Sequence, residues 1–245
     1  MRRLPGKFIR GLALSLTLAS AALAEGNTAI QPVPRDAAWL RRHEGFVEQA
    51  KAGGIDVLFL GDSITDFWRD PNRGKTLWEE HFAPLHAANF GISADRTQHV
   101  IWRIDHGELD GIKPRALVLM IGTNNTGFER DKVTPRNTVP ETIEGVTAVV
   151  KALRQKLPET KILLLAIFPR GEKDAPQRGQ IDEINAAIAK LDDGAFVHYL
   201  DIGPKFLWPD GTLSKDIMPD LLHPSEIGYA IWAAAIKKPL AELLK

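Results

Sequence analysis

Short, continuously apolar runs recur along the chain, and amphipathic segments separate most of them. Val57-Leu58-Phe59-Leu60, Ala116 to Ile121 and Ile162 to Ile167 read as strands buried on both faces; Ala87 to Ile92 and Val197 to Leu200 are weaker versions. Trp39 to Lys51 presents Leu40, Phe46, Val47 and Ala50 to one side, as a first helix would. Thr142 to Leu157 sets Ile143, Val146, Val150, Leu153 and Leu157 at steps of three and four. Pro140 and Glu141 suit a helix start there, and Pro158 stops it. Ile181 to Leu191 repeats the spacing, and a last helix runs from about Ser225 toward Leu244, with Pro239 expected to kink or divide it. Strands alternating with helices predict an α/β domain with a parallel sheet of about five strands and helices on both faces.

The N-terminus falls outside this pattern. Arg2, Arg3, Lys7 and Arg10 precede a charge-free stretch from Leu12 to Leu23, with small residues at Ala22 and Ala24. That is the layout of a secretory signal peptide cut after Ala24, an uncleaved anchor being the alternative. The expected divisions are therefore a leader over 1–24, a polar, proline-containing linker over 25–38 and one domain over 39–245. Without its leader the chain carries 27 basic against 31 acidic residues. A nucleic-acid binder would need a basic face, so that class is disfavoured, and no other segment is long and apolar enough to span a membrane. Cysteine is absent, which excludes disulfides, thiolate metal sites and a cysteine nucleophile. The expected location is periplasmic or secreted.

Ligands of open α/β sheets bind beyond the carboxyl ends of the strands. Three strand ends carry glycine with small polar residues: Gly61-Asp62-Ser63, Asn89-Phe90-Gly91-Ile92-Ser93 and Gly122-Thr123-Asn124-Asn125. A serine hydroxyl needs a neighbouring base to act as a nucleophile, although a serine after a strand is more often a helix N-cap. Among the histidines, His223 stands apart because Asp220 precedes it by three residues and Pro224 follows. One loop can then present an imidazole with a carboxylate that fixes its tautomer, or can simply turn into the last helix. The amides of Ser63 and Gly91 and the side chain of Asn124 are candidate donors to a developing oxyanion, although Asn124 also suits an ordinary turn.

In order, Gly-Asp-Ser63-Ile, Asn-Phe-Gly91-Ile-Ser, Gly-Thr-Asn124-Asn and Asp220-x-x-His223 resemble the four blocks of the SGNH (GDSL-type) hydrolase superfamily. The stretch through Arg96, Thr97, Trp102, Arg103, Gly107-Glu108-Leu109 and Lys113-Pro114 resembles its platelet-activating-factor acetylhydrolase subunit branch. Ile64 departs from the usual leucine of the first block. The resemblance implies a flavodoxin-like three-layer α/β/α fold, Ser63 as nucleophile, His223 as acid and base, Asp220 as its orienter, and Ser63, Gly91 and Asn124 around the oxyanion. It implies ester hydrolysis with no metal or organic cofactor, acetate first among acyl groups, and a branch that includes homodimers. A glycan or other small-molecule ester is the expected substrate. A lipid-directed acylhydrolase is the second reading, and a non-catalytic module on the same fold the third. Asp62, Phe67, Trp68, Arg170 and Trp208 are the candidate substrate contacts, with Phe128 a further aromatic near the site.

Overall fold

The computed structural model describes Met1 and residues 26–245; the expected leader lies outside the described residues. Five strands form one parallel sheet in the order β2-β1-β3-β4-β5: β1 is Val57–Gly61, β2 Ala87–Gly91, β3 Ala116–Met120, β4 Lys161–Leu165 and β5 Val197–Leu200. This is the flavodoxin-like order, and the chain reverses its direction of winding between β1 and β3, the usual place for a ligand.

Period-two alternation sorts the strand side chains into two cores. Leu58, Leu60, Phe90, Leu117, Leu119, Ile162 and Leu164 face α1 (Ala37–Ala52), α4 (Thr97–Asp105), α5 (Val139–Lys156) and α6 (Pro176–Ile188). Phe59, Val118, Met120, Leu163 and Leu165 face the other way. They pack with Ile64 of α2 (Ser63–Asp66), Phe82 beyond α3 (Lys75–His81), and Trp232 and Ile236 of α7 (Glu226–Leu243). The parallel sheet is covered on both faces, the three-layer architecture expected of its apolar strands.

The differences from the pattern are local. Helix α5 opens at Val139, with Thr138 and Glu141 forming a reciprocal cap, and α7 runs as one helix through Pro239. Short α3 and α4 lay beyond the hydrophobic periodicity. Residues 26–36 are a docked strap instead of a linker. Asn27 donates to Glu144 at 2.8 Å, Asn137 donates to Thr28 at 2.9 Å, and the Ala29 carbonyl accepts from Thr97 Oγ1 at 2.7 Å. A polar composition left this segment looking loose; its polar groups are spent on the domain.

Candidate active site

Asp62 follows the first strand and caps the helix that begins at Ser63, its Oδ1 accepting from the Ile64 amide at 3.0 Å. The turn is tight: a Cβ on Gly61 would lie 2.3 Å from the Met120 carbonyl oxygen. On the far side, the buried Tyr229 hydroxyl of α7 donates to the Ile64 carbonyl at 2.6 Å, fixing the short helix from below. Ser63 is thus held at the switch point by both neighbouring strands and by α7.

The loop before α7 brings the other two groups. Ser63 Oγ lies 2.9 Å from His223 Nε2, and His223 Nδ1 lies 2.6 Å from Asp220 Oδ2. Asp220 Oδ1 accepts the amides of Leu222 and His223 at 3.1 and 2.7 Å, so the carboxylate is oriented by the loop it organises. Burial opposes ionisation of Asp220, but these amides and the imidazole outweigh it and hold its carboxyl below the ordinary range. Leu221 adopts φ +57°, and its carbonyl accepts from the Gly171 amide at 2.7 Å. The loop therefore leans on the turn that follows β4. Phe67 packs beside the imidazole, ring centroids 5.1 Å apart.

The second strand end departs from expectation. Gly91 donates its amide to Asn89 Oδ1 at 2.9 Å, and a Cβ there would sit 2.4 Å from the Asp66 nitrogen. Glycine is required at this position for close approach of α2, and its N–H is already spoken for, so Gly91 is not an oxyanion donor in this arrangement. Three residues later, Ala94 occupies the left-handed region at φ +66°, in a turn closed by the Asp95 amide on the Ile92 carbonyl at 3.2 Å. Such a conformation costs a non-glycine residue on the order of 1 kcal/mol and persists only when its surroundings enforce it.

Two buried carboxylates enforce it here. Asp66 Oδ2 accepts both the amide and the hydroxyl of Ser93, at 3.2 and 2.8 Å, while its Oδ1 takes Arg42 and Arg69. Asp95 is fixed by Trp39 Nε1 at 2.7 Å, Arg35 at 3.1 Å and Arg103 at 3.1 Å, and Arg103 in turn bonds Glu108 at 2.8 Å. The Asp95 carbonyl accepts from Asn124 Nδ2 at 3.0 Å. That bond uses one of the two amide protons of Asn124 and leaves the other to donate. The main-chain N–H groups of Ser63 and Ala94 have no acceptor among the described residues. None of Asp66, Asp95 and Tyr229 was a sequence-level candidate, because a buried anchor carries no strand-end signature.

The expected substrate contacts divide. Trp68 is fully buried in the core with Phe59, Trp78, Phe82, Tyr229 and Trp232, and Asp62 is fully buried as a helix cap, so neither contacts a substrate. Phe67 and Arg170 border the site. Arg170 donates to the Thr123 carbonyl at 3.0 Å, and its charge acts on Asp62 and Asp220. Trp208, 60% exposed, stands on a hairpin closed by the Leu207–Leu213 bridge. Phe128, 42% exposed, stands on the segment bridging Phe128 and Pro135 just after Asn124. His43 and His99 are buried against Trp39. Among the described residues no cluster of His, Asp and Glu is disposed to hold a metal ion.

Asp62 gives a test of this environment. Burial pushes its carboxyl from 3.8 up to about 7, against the pull of the Ile64 amide and of Arg170. A carboxyl whose folded pKa is raised contributes stability that is complete below its unfolded pKa and is lost as pH rises through the folded one. Asp62→Asn keeps the capping oxygen and cannot ionise. The melting temperature of the wild type is therefore expected to fall, relative to this variant, as pH rises from 4 to 8. Parallel curves would show that Asp62 titrates in its ordinary range.

The fold and the linked side chains together define a serine-type acylhydrolase on a doubly wound sheet. The chain belongs to the GDSL-like Lipase/Acylhydrolase family, whose profile matches residues 59–231. It is a carboxylic ester hydrolase, similar at 36% identity over 218 residues to the human platelet-activating factor acetylhydrolase IB subunit alpha1, covering 89% of each chain. The fold is shared with a GDSL-like lipase from Bacteroides thetaiotaomicron at a TM-score of 0.64 and 19% identity, covering 82% of this chain and 97% of that one. It is shared too with an acetylxylan esterase from Geobacillus stearothermophilus at 0.57 and 21%, covering 78% and 94%.

Proposed function

We propose that this chain hydrolyses short acyl esters, acetate foremost, through an acyl-serine, and that its substrate is an O-acetylated carbohydrate. The observation that carries the mechanism is the continuous line Ser63 Oγ, His223 Nε2, His223 Nδ1, Asp220 Oδ2, with links of 2.9 and 2.6 Å. As Ser63 Oγ bonds to the ester carbon, its proton passes to Nε2 and the carbonyl electron pair moves onto oxygen. The resulting oxyanion is met by the N–H of Ser63, the N–H of Ala94 and the free Nδ2 proton of Asn124. When the carbonyl re-forms, the alcohol leaves with the proton from Nε2. Water then repeats the attack on the acyl-serine, giving its proton to Nε2, and Ser63 recovers a proton as the acid departs.

Acetate is supported by the relatives, since both the acetylhydrolase subunit and the acetylxylan esterase are named for the acetyl group. Their names differ in the alcohol. The leader-like N-terminus, with its basic residues before Leu12 to Leu23, supports action outside the cytoplasm, where acetylated glycans are met.

The test is a homologous series of p-nitrophenyl esters beside acetate release from acetylated xylo-oligosaccharides. The expected outcome is a sharp fall in kcat/KM beyond butyrate, with acetate released from the glycan. A rise toward long acyl chains would point to a lipid substrate. Within the same assay, Asn124→Ala is expected to lower kcat by roughly 10²–10³-fold with little change in KM, the effect of losing one oxyanion donor. An unchanged kcat would leave Asn124 as a turn residue.

A further inference from the structure

Beside the active site, on the same edge of the sheet, lies a cavity of about 270 Å³. It opens past the ends of β4 and β5, between Pro169 and Asp201, and the Leu207–Leu213 hairpin forms one wall through Leu207 and Gly211. The turn Pro169-Arg170-Gly171 joins it to the catalytic loop, Pro169 lining the cavity and Gly171 bonding Leu221. Arg170 reaches Thr123 beside Asn124, and the Gly171 amide holds the Leu221 carbonyl between Asp220 and His223. A ligand extending from the nucleophile toward β5 has this one turn to cross.

The lining is charged but balanced: Lys173 and Arg178 against Asp182 and Asp201. None of the four forms a salt bridge among the described residues, although all border one small space. Arg178 donates to the Gly211 carbonyl at 3.3 Å, while its buried Nε finds no partner. Asp201 Oδ1 accepts the Gly203 amide at 2.7 Å, leaving the second oxygen to act elsewhere. A buried donor without an acceptor is costly, while Lys173, Asp182 and Asp201 stand exposed at the cavity mouth, where they can meet a ligand.

Their signs select the ligand. With two cations and two carboxylates, the cavity has no net attraction for an anion. An acyl tail would strip water from four charges and return nothing to them. A neutral polyhydroxylated ligand matches, because each hydroxyl both donates to a carboxylate and accepts from an ammonium or guanidinium. Trp208, on the hairpin that walls the cavity, supplies an exposed aromatic surface of the kind that packs on a sugar ring.

We propose that this cavity is a saccharide subsite, holding the sugar unit next to the one whose acetyl group lies at Ser63. The proposal rests on the carbohydrate-ester reading above, and it separates cleanly from it by experiment. Arg178→Ala and Trp208→Ala in the full chain are compared with wild type on p-nitrophenyl acetate and on acetylated xylo-oligosaccharides. The subsite predicts that KM for the oligosaccharide rises roughly tenfold in each variant. The p-nitrophenyl acetate kinetics of Arg178→Ala are expected to stay within about twofold of wild type.

Unchanged oligosaccharide kinetics would overturn the subsite while leaving the carbohydrate reading intact, and so would an equal loss on both substrates in Arg178→Ala. If wild type releases no acetate from the oligosaccharide, the carbohydrate reading fails first. Calorimetric titration of wild type and Arg178→Ala with unacetylated xylo-oligosaccharide then decides the cavity. Binding that weakens in the variant upholds it, and absence of binding to wild type overturns it.

Discussion

Ser63→Ala is expected to reduce hydrolysis of p-nitrophenyl acetate by roughly 10⁴-fold or more, leaving only the rate that binding and the oxyanion donors supply. The hydroxyl makes a single hydrogen bond, to His223, so its loss removes the nucleophile and little else. Alanine suits the first turn of α2, Asp62 still caps the helix through Ile64, and Tyr229 still holds the Ile64 carbonyl. The variant is therefore expected to melt near the wild-type temperature, a control that separates lost chemistry from lost fold. Labelling by a fluorophosphonate should disappear with the activity, because the probe bonds to the activated oxygen itself. Activity within tenfold of wild type in a folded variant would place the nucleophile elsewhere.

How the sequence announced this site follows from where each residue stands. Ser63 and Asn124 were legible because they follow strand ends, where glycine and small polar residues interrupt apolar runs, and the Asp220–His223 loop because a carboxylate stands three residues before a histidine and a proline follows it. The strands were legible for a related reason: a parallel sheet covered on both faces requires nearly unbroken apolar stretches, plainest in β1, β3 and β4 and weaker in β2 and β5. Gly91 misled because glycine has two uses. It can free an amide for a ligand, or let two backbones meet. Here it does the second, against Asp66, and the strained Ala94 presents an unengaged N–H three residues later.

Nothing in an isolated Ser-Ala-Asp marks a left-handed alanine. The conformation is imposed by Asp66 and Asp95, whose partners come from α1, α4 and the segment after α2, so the information is tertiary. Trp68 misled in the opposite sense. An aromatic five residues from a nucleophile looks like pocket lining, but the short α2 turns it inward to fill the core under α7. The docked strap was illegible because its anchors, Thr97, Glu144 and Asn137, are distant in sequence and ordinary in type.

The Asp220→Asn variant carries the second large effect, expected at roughly 10²–10⁴-fold in kcat, and it tests the orientation of the base as distinct from its presence. In the wild type the carboxylate has two tasks. Oδ1 takes the amides of Leu222 and His223, and Oδ2 takes the Nδ1 proton of the imidazole. Asparagine can keep only one of them. With its oxygen on the two amides, its NH₂ faces Nδ1; the ring then carries its proton on Nε2, aimed at Ser63 Oγ, and cannot accept another without forming an unsupported imidazolium. With the amide reversed, two loop N–H groups face a donor and the turn around Leu221 loses its closure. Either state leaves His223 in place and unable to act as base. Stability reports separately on the carboxylate. Because the folded pKa of Asp220 is depressed, its contribution is present above its ordinary value of 3.8 and is lost as pH falls through the folded one. The gap in melting temperature between wild type and variant should therefore close on acidification. At neutral pH the loss of kcat should far exceed what that modest gap could explain. Wild-type rates in Asp220→Asn would show instead that the carboxylate serves only to shape the loop.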